Sequence, residues 1–396
     1  MSCCATLSAG DATEVVWDVI VIGAGPAGAV AARELARRGA TTLLVERQSF
    51  PRTKVCGGSL NGQALVSLPQ LGLSHILPAA FAAPVSRFMV QANKRRVVLD
   101  LPAGVAIRRA EFDEQLVQSA SDAGVAFLPE TTAIVEPFSA SDLTYRQVSL
   151  SHHGQQGLAT KARIVIAADG LGHACLRHVQ MFRSSTIRDA RVGLGLVLHK
   201  QEAYEGGAIH MAIGRSGYVG LVRTADENLN VAAAVDPAAL RATSMPGEFI
   251  NRILRDAGLP LLSLDAASKW RGTLPLSRVT SRLAGGRTFL LGDAAGYVEP
   301  FTGEGMGWAI ASAISVVPYV VRLLERWDDA GARQWETAQR RQMARNQITC
   351  RVLAKLLRQP AAVGLTLKAL QAIPALARPI VRRIQSGPVH LQESLT

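Results

Sequence analysis

Residues 18–46 read DVIVIGAGPAGAVAARELARRGATTLLVE and predict a strand, a tight turn, a helix and a second strand. Gly23, Gly25 and Gly28 lie at the turn with the spacing G-x-G-x-x-G. In such a unit the first glycine allows the turn, the second lets the backbone approach a pyrophosphate, and the third lets helix and strand pack closely. Glu46 ends the second apolar run, where a carboxylate can accept hydrogen bonds from a ribose diol. The segment therefore predicts a dinucleotide-binding unit, equally suited to NAD or FAD.

Length and composition allow two domains with a large core. The chain has 396 residues, of which 48% are hydrophobic. Its first residues lack a basic start followed by an apolar stretch, so we expect a cytoplasmic protein. The five cysteines have no metal-ligand spacing, which argues against a disulfide framework and predicts no metal site.

Positive charge is concentrated near the C-terminus. Residues 337–391 contain no Asp or Glu, while their Arg and Lys residues contribute ten positive charges to a formal net charge of +12. The apolar runs there are broken by proline, and none reaches the roughly 20 apolar residues that span a bilayer. These helices could contact an anionic membrane surface, cover the substrate cavity, bind another protein or simply pack on the body. Nucleic-acid binding is not expected, because no recognised module accompanies the charge.

Two strand-rich segments interrupt the nucleotide-binding unit. Residues 86–106 read as two strands, and residues 188–278 contain four alternating segments typical of an antiparallel sheet. The predicted organisation has a discontinuous cofactor-binding domain, an inserted substrate-binding sheet domain and a basic helical tail. The cofactor-binding domain comprises residues 14–85, 107–187 and 279–348. The substrate-binding sheet domain comprises residues 86–106 and 188–278, and the tail comprises residues 349–396.

Two acidic residues follow later apolar runs. Asp169 and Gly170 follow one run, and Gly292 and Asp293 follow another. Together with the glycine motif, this spacing resembles the flavoprotein family of p-hydroxybenzoate hydroxylase, geranylgeranyl reductase and the flavin-dependent halogenases. The resemblance implies an α/β, Rossmann-like fold of the glutathione reductase type that binds FAD. It places the first motif on the ADP half, Asp169 and Gly170 near the pyrophosphate, and Asp293 on the ribityl chain.

A second block resembles geranylgeranyl reductases, in which P-x-T-G-E-G recurs. Here residues 300–306 read PFTGEGM and predict a helix start whose amides face the flavin ring. The resemblance assigns four residues to cofactor binding: Pro300, Gly303, Gly305 and Met306. Glu304 is predicted either as an acid that stabilises the helix start or as a catalytic group.

A third block lies in residues 54–58, KVCGG, which match a segment that lies over the flavin in geranylgeranyl reductases. The resemblance implies that Cys56, Gly57 and Gly58 lie in the active site. Cys56 could instead be a small buried apolar residue. Arg109 matches a family arginine near the cofactor, and Arg47, next to Glu46, is assigned to the cofactor as well.

Residues 217–223, GYVGLVR, occupy the position of the family strand G-[WY]-x-W-x-[IFV]-P. Gly220 replaces the Trp and Arg223 replaces the Pro, which argues against halogenation. The altered strand favours hydroxylation of a hydrophobic aromatic or polyketide-like molecule through a flavin C4a-hydroperoxide. The KVCGG and TGEG blocks favour the alternative, reduction of double bonds in an isoprenoid or other lipid.

No second nicotinamide-binding unit is evident in the sequence. Electrons are therefore expected from transient NAD(P)H docking or from a separate reductase. A non-catalytic flavin-binding protein on membranes is a third, more distant interpretation.

Overall fold

A computed structural model gives the structure of most of the chain. It describes residues 4–138, 143–199, 201–243, 245–265, 268–299, 301, 303–378 and 381.

A largely parallel sheet of eight strands carries the nucleotide motif. Its strands are β1 (Val16–Ile22), β2 (Thr42–Val45), β8 (Ala126–Leu128), β9 (Thr131–Val135), β10 (Arg146–His152), β11 (Gln155–Ala167), β19 (Ala284–Gly285) and β20 (Thr288–Leu290). The order is β19-β20-β11-β1-β2-β8, with β10 paired to β11 and β9. Because β1, β2, β11 and β20 are parallel, their carboxyl ends open on one edge of the sheet.

Helices pack on this sheet and on other parts of the protein, and they supply the C-terminal part of the chain. They are α1 (Asp11–Glu14), α2 (Pro26–Ala36), α3 (Gly62–Gln70), α4 (Arg109–Asp122), α5 (Pro237–Arg241), α6 (Pro246–Ala257), α7 (Gly305–Glu325), α8 (Asp329–Leu356) and α9 (Pro360–Ala372). Short 3-10 helices span Ser74–Ile76, Gly170–Gly172, Ala174–Leu176, Gly292–Ala295 and Pro374–Ala377.

The glycine turn lets α2 approach the sheet closely. Gly23 has φ +102°, a backbone conformation that favours glycine. A Cβ atom on Gly28 would lie 1.8 Å from the carbonyl oxygen of Gly23. The close contact between α2 and β1 therefore requires the absence of a side chain at residue 28.

α7 is the one helix in the described ranges that is long and apolar enough to cross a membrane by length and composition, with a mean hydropathy of 1.6. It packs against α2 and α3. Ile310, Ala313 and Val316 on this helix are fully buried. Its apolar composition thus serves the protein core.

A second sheet of seven strands faces the carboxyl edge of the first. Its strands are β5 (Arg87–Ala92), β6 (Arg95–Asp100), β13 (Val192–Leu198), β14 (Ala208–Gly214), β15 (Gly217–Arg223), β16 (Leu229–Val235) and β17 (Arg271–Pro275). The order is β17-β13-β16-β15-β14-β5-β6. All neighbours are antiparallel except β5 and β14. The parallel pair departs from the expected antiparallel sheet. It arises because the β5–β6 hairpin joins the β14 edge of a separate antiparallel unit with the order β13-β16-β15-β14.

Two small three-stranded sheets complete the fold. One contains β3 (Ser59–Asn61), β4 (Ala82–Pro84) and β7 (Gly104–Ile107), and the other contains β12 (Ser184–Thr186), β18 (Arg278–Thr280) and β21 (Gly296–Tyr297). The protein therefore combines a Rossmann-type parallel sheet, further β-sheets and a helical C-terminal part, as the sequence predicts. The residue boundaries of the predicted domains stay a prediction.

Candidate functional site

A cavity of about 770 Å³ lies between the carboxyl edge of the first sheet and one face of the second. Its first part, here called the polar end, is lined by Gly23, Gly25, Glu46, Arg47, Arg52, Lys54, Asp169 and Asp293. Its second part, the apolar end, is lined by Val55, Phe88, Ile209, Met211, Tyr218, Gly220, Ala232, Leu276 and Phe301. One cavity thus joins a charged region at strand termini to a hydrophobic region on a sheet face.

Glu46 is held rigidly at the end of β2. The side chain is buried, and its two oxygens accept hydrogen bonds from the backbone N–H groups of Ala24, at 3.0 Å, and Gln48, at 3.2 Å. The first bond ties the carboxylate to the glycine turn. Arg47 is exposed and lines the same region.

Two guanidinium groups lie beside the glycine turn. A Cβ atom on Gly25 would be 3.4 Å from Nη2 of Arg52 and 4.0 Å from Nη2 of Arg109. Positive charge therefore stands where the backbone is bare, the arrangement that a pyrophosphate requires. The sequence interpretation named Arg109 but missed Arg52, which only its nearness in space reveals.

Asp113 on α4 holds both arginines. Its Oδ2 lies 3.0 Å from Nη2 of Arg52, and its Oδ1 lies 2.5 Å from Nε of Arg109. The Asp113 side chain is fully buried. Burial opposes the charge on Arg109, but Asp113 and Cys56 outweigh it and raise the pKa of the guanidinium. Asp113 was not predicted, although its i,i+4 spacing from Arg109 was the available signal.

Lys54 and Asp293 face each other across the polar end. The Lys54 side chain is exposed to the cavity, although protein surrounds it. A Cβ atom on Gly170 would lie 3.2 Å from its Nζ. Burial lowers the pKa of Lys54, while Asp293 opposes that change. Burial raises the pKa of Asp293, opposed by Lys54 and Arg109. The pair places one acceptor and one donor beside the same space.

Asp169 follows β11, and one of its carboxylate oxygens accepts a hydrogen bond. Its Oδ2 accepts a hydrogen bond from the N–H of Cys175 at 2.9 Å, whereas its Oδ1 is buried without a partner among the described residues. A buried carboxylate oxygen needs a donor. With Glu46, the bare Gly25 backbone and the two arginines, this residue fits a cofactor that carries hydroxyl groups and a pyrophosphate.

Cys56 lies where the polar and apolar ends meet. Its Sγ accepts from the N–H of Gly58 at 3.4 Å and also contacts the Arg109 guanidinium. Nδ2 of Asn230 on β16 donates to the Cys56 carbonyl oxygen at 2.9 Å, which fixes this loop on the second sheet. Gly57 lines the cavity. Gly58, with φ +64°, packs against Asn230 instead.

The predicted residues around α7 are distributed differently. Gly303 lines the cavity, and Gly292 packs against α2. Glu304 is buried away from the cavity lining, with Oε1 3.9 Å from Sγ of Cys350 on α8. Gly305 borders a separate space of about 30 Å³, and Met306 is buried in the core. Pro300 lies outside the described residues.

A buried ion pair supports the apolar end. Nη1 of Arg191 lies 3.2 Å from Oε1 of Glu299, and both side chains are buried. The Arg191 guanidinium also lies 5.5 Å from the ring centre of Tyr218, whose ring packs edge-on against Phe301. Burial raises the pKa of Glu299 and Tyr218. Sequence analysis found neither Arg191 nor Glu299, because they are 108 positions apart.

The sequence model of a family described as FAD binding domain matches residues 16–349. The chain belongs to this family. It is therefore an FAD-dependent oxidoreductase, and the expected flavoprotein family and FAD are confirmed at this level.

Curated relatives cover most of the chain. The match to menaquinone reductase of Mycobacterium tuberculosis is 28% identical and covers 74% of each chain. Digeranylgeranylglycerophospholipid reductase 2 of Methanothermobacter thermautotrophicus is 27% identical, over 75% of this chain and 76% of its own. Conditioned medium factor receptor 1 of Dictyostelium discoideum is 24% identical over 75% of this chain, and the match spans only 62% of that relative's length.

Solved structures share the fold. A flavoprotein/dehydrogenase from Cytophaga hutchinsonii has a TM-score of 0.79 at 20% identity, covering 93% of this chain and 92% of its own. A geranylgeranyl bacteriochlorophyll reductase-like protein from Thermoplasma acidophilum has a TM-score of 0.75 at 19% identity, covering 96% and 98%. At these identities the similarity concerns the fold alone.

Proposed function

We propose that this protein reduces carbon–carbon double bonds in an isoprenoid or another lipid bound at the apolar end. The observation that carries the proposal is the position of Cys56 beside the Arg109 guanidinium, on the same cavity as the hydrophobic sheet face. Two relatives are named as reductases of menaquinone and of digeranylgeranylglycerophospholipid. These names support a reductase with a lipophilic substrate.

The polar end would hold FAD, which supplies two-electron chemistry when bound. Arg52 and Arg109 would neutralise the pyrophosphate beside Gly25, and Glu46 would accept from the adenosine ribose. Asp169 and Asp293 would accept from further hydroxyl groups. Asp113 pairs with both arginines and holds them in place.

The apolar end would exclude water and hold the substrate. Phe88, Ile209 and Met211 supply hydrophobic contact area, while Gly220 leaves space at the centre of the sheet. Burial of apolar surface from both partners favours binding by roughly 25 cal/mol for each Å² removed from water. A long hydrophobic chain suits such a surface better than a charged metabolite does.

Reduction of a double bond also requires a proton for the second carbon. The Cys56 thiol can supply it, since loss of the proton leaves a thiolate beside the positive charge of Arg109. The double bond then gains two electrons and two hydrogens, one of them as the proton from sulfur. Solvent restores the thiol after the product leaves.

Hydroxylation of a hydrophobic aromatic molecule is the second candidate. It is favoured by Gly220, where a Cβ atom would lie 3.2 Å from Cε of Met211. A flexible methionine over a glycine can adapt to a flat ring. Reduction is preferred because two relatives are named as reductases and because Cys56 can protonate the second carbon of a double bond.

Product mass separates the two reactions. The FAD-loaded protein is incubated with NADH, NADPH or chemically supplied electrons, with a geranylgeranyl lipid that carries no quinone ring, and with or without oxygen. Reduction predicts that product gains two hydrogens without oxygen, and that Cys56→Ser slows this step while Cys4→Ser, at an exposed cysteine, does not. A product that appears only with oxygen and gains one oxygen atom would establish hydroxylation instead. Comparison of the three electron sources identifies the donor.

A further inference from the structure

Helix α9 has two contrasting faces. On its inner face, Val363 and Leu367 are buried in one apolar cluster with Phe88, Met211 and Tyr218. Those three residues also line the apolar end of the cavity. A single cluster of side chains therefore connects α9 to the candidate substrate site.

The outer face of α9 and the 3-10 helix after it exposes large apolar side chains. Leu365 is 70% exposed, Ile373 is 55% exposed and Leu376 is 52% exposed. Leu365 and the exposed Lys368 are three residues apart and share one side of the helix. We call the residues Leu365, Lys368, Ile373, Leu376 and Arg378 the C-terminal face.

Charge around this face is positive. Lys368 and Arg378 are exposed, and residues 337–391 contain no acid. α9 lies against β6, where Nε2 of Gln371 donates to the Arg96 carbonyl oxygen at 2.9 Å. That strand and the turn before it add Lys94, Arg95 and Arg96. Two acidic residues also lie on this side of the protein: Asp100 at the end of β6, and Glu205, which lies within 4.0 Å of Arg96.

We propose that the C-terminal face docks on a lipid bilayer with anionic headgroups. Large apolar side chains interspersed with cations, without acids, form the composition that lies in a membrane interface. The apolar side chains would enter the headgroup boundary while the cations bind lipid phosphates. A second copy of this chain is a poorer occupant, because two positive faces would repel each other. The inference rests on this surface and holds for either candidate reaction.

Vesicle sedimentation tests the proposal with the FAD-loaded full chain. Binding is expected to vesicles of mixed phosphatidylglycerol and phosphatidylcholine, and not to phosphatidylcholine alone. Each Lys or Arg near an anionic membrane surface contributes substantially to the binding affinity. Lys368→Glu with Arg378→Glu should therefore weaken vesicle binding by about tenfold or more. About 0.5 M salt should weaken it as well, since salt screens exposed charges. Changing Leu365, Ile373 and Leu376 together to Ser should abolish vesicle binding, with or without the added salt.

Matched variants on other surfaces provide the control. Leu143→Ser removes another exposed leucine, and Arg252→Glu with Arg255→Glu reverses two exposed charges on α6, which covers the opposite face of the second sheet. All variants should keep the flavin spectrum and the unfolding transition of the parent, so a loss of vesicle binding is separable from a loss of FAD. Equal binding of parent and C-terminal-face variants would overturn the proposal. So would a dimer, measured by light scattering, that these substitutions dissociate.

Discussion

The polar and apolar ends of the cavity are built in different ways. At the polar end, Glu46, Asp169 and Asp293 each follow a strand of the first sheet, and backbone and charge form the surface. At the apolar end, Met211 projects from the middle of β14 and Tyr218 from the start of β15, both in the second sheet. The position of a side chain at a strand terminus is set by the path of its own strand. The side chains on a sheet face are brought together by the pairing of several strands.

Because of this difference, the two ends of the cavity should tolerate different substitutions. The polar end depends on a few charges that must all be paired, because an unpaired buried charge is costly. The apolar end depends on shape and volume, which several side chains share. Substitutions at the polar end should therefore affect folding and FAD binding, and substitutions at the apolar end should affect the substrate alone.

The largest effect is expected for Asp113→Ala. The change leaves Arg52 and Arg109 without their shared counterion in a buried site. Breaking a buried ion pair costs about 3–5 kcal/mol. Denaturant unfolding of the FAD-free protein should show this loss, with Asp122→Ala on the exposed side of the same helix as the control. A loss no larger than that of the control would mean that the arginines do not depend on Asp113.

Two glycine substitutions divide the polar end further. Gly28→Ala brings a Cβ to 1.8 Å from the Gly23 carbonyl oxygen, so it should destabilise the fold by about 3 kcal/mol through overpacking. Gly25→Ala points into the cavity beside Arg52 and should leave stability unchanged while weakening FAD binding. Unfolding curves and flavin titration measure the two effects. Equal destabilisation by both substitutions would contradict the assignment of Gly25 to the cofactor.

At the apolar end, Gly220→Leu should change catalysis without changing the cofactor site. The new side chain must displace Met211, whose Cε lies 3.2 Å from the Cβ position. A cost of about 1.4 kcal/mol in substrate binding corresponds to a tenfold fall in kcat/KM. Steady-state kinetics with the lipid substrate would show the fall, while flavin titration should match the parent. Weaker FAD binding would show that the two ends are not independent.

The smallest effect concerns pH. Burial lowers the pKa of His210, a residue of β14, below its ordinary value of 6.5. Below about pH 6.5 the unfolded chain takes up a proton that the folded chain resists, so His210 reduces stability as the pH falls toward its folded pKa. His210→Gln should flatten the dependence of the unfolding free energy on pH in this range. His173 contributes with the same sign and remains in the variant. Identical pH profiles for parent and variant would contradict the proposed contribution.

Much of the polar end could be predicted from sequence. The glycine spacing, Glu46 and the acids after β11 and β20 are local patterns, and the sheet brings them together because parallel strands end on one edge. The K-V-C-G-G block likewise led to Cys56 and Gly57. The interpretation of Glu304 was less informative, because its burial beside Cys350 depends on how α8 packs on α7.

Sequence alone therefore determined the family, the polar residues at the strand termini and the positive charge of the C-terminus. Tertiary structure alone decided that Asp113 joins Arg52 to Arg109, that Arg191 pairs with Glu299, and that α9 buries one face and exposes the other. The physical reason is the separation along the chain over which each interaction acts. Turn geometry and helix dipoles act between neighbours in the chain, while ion pairing and burial act between residues that only folding brings together.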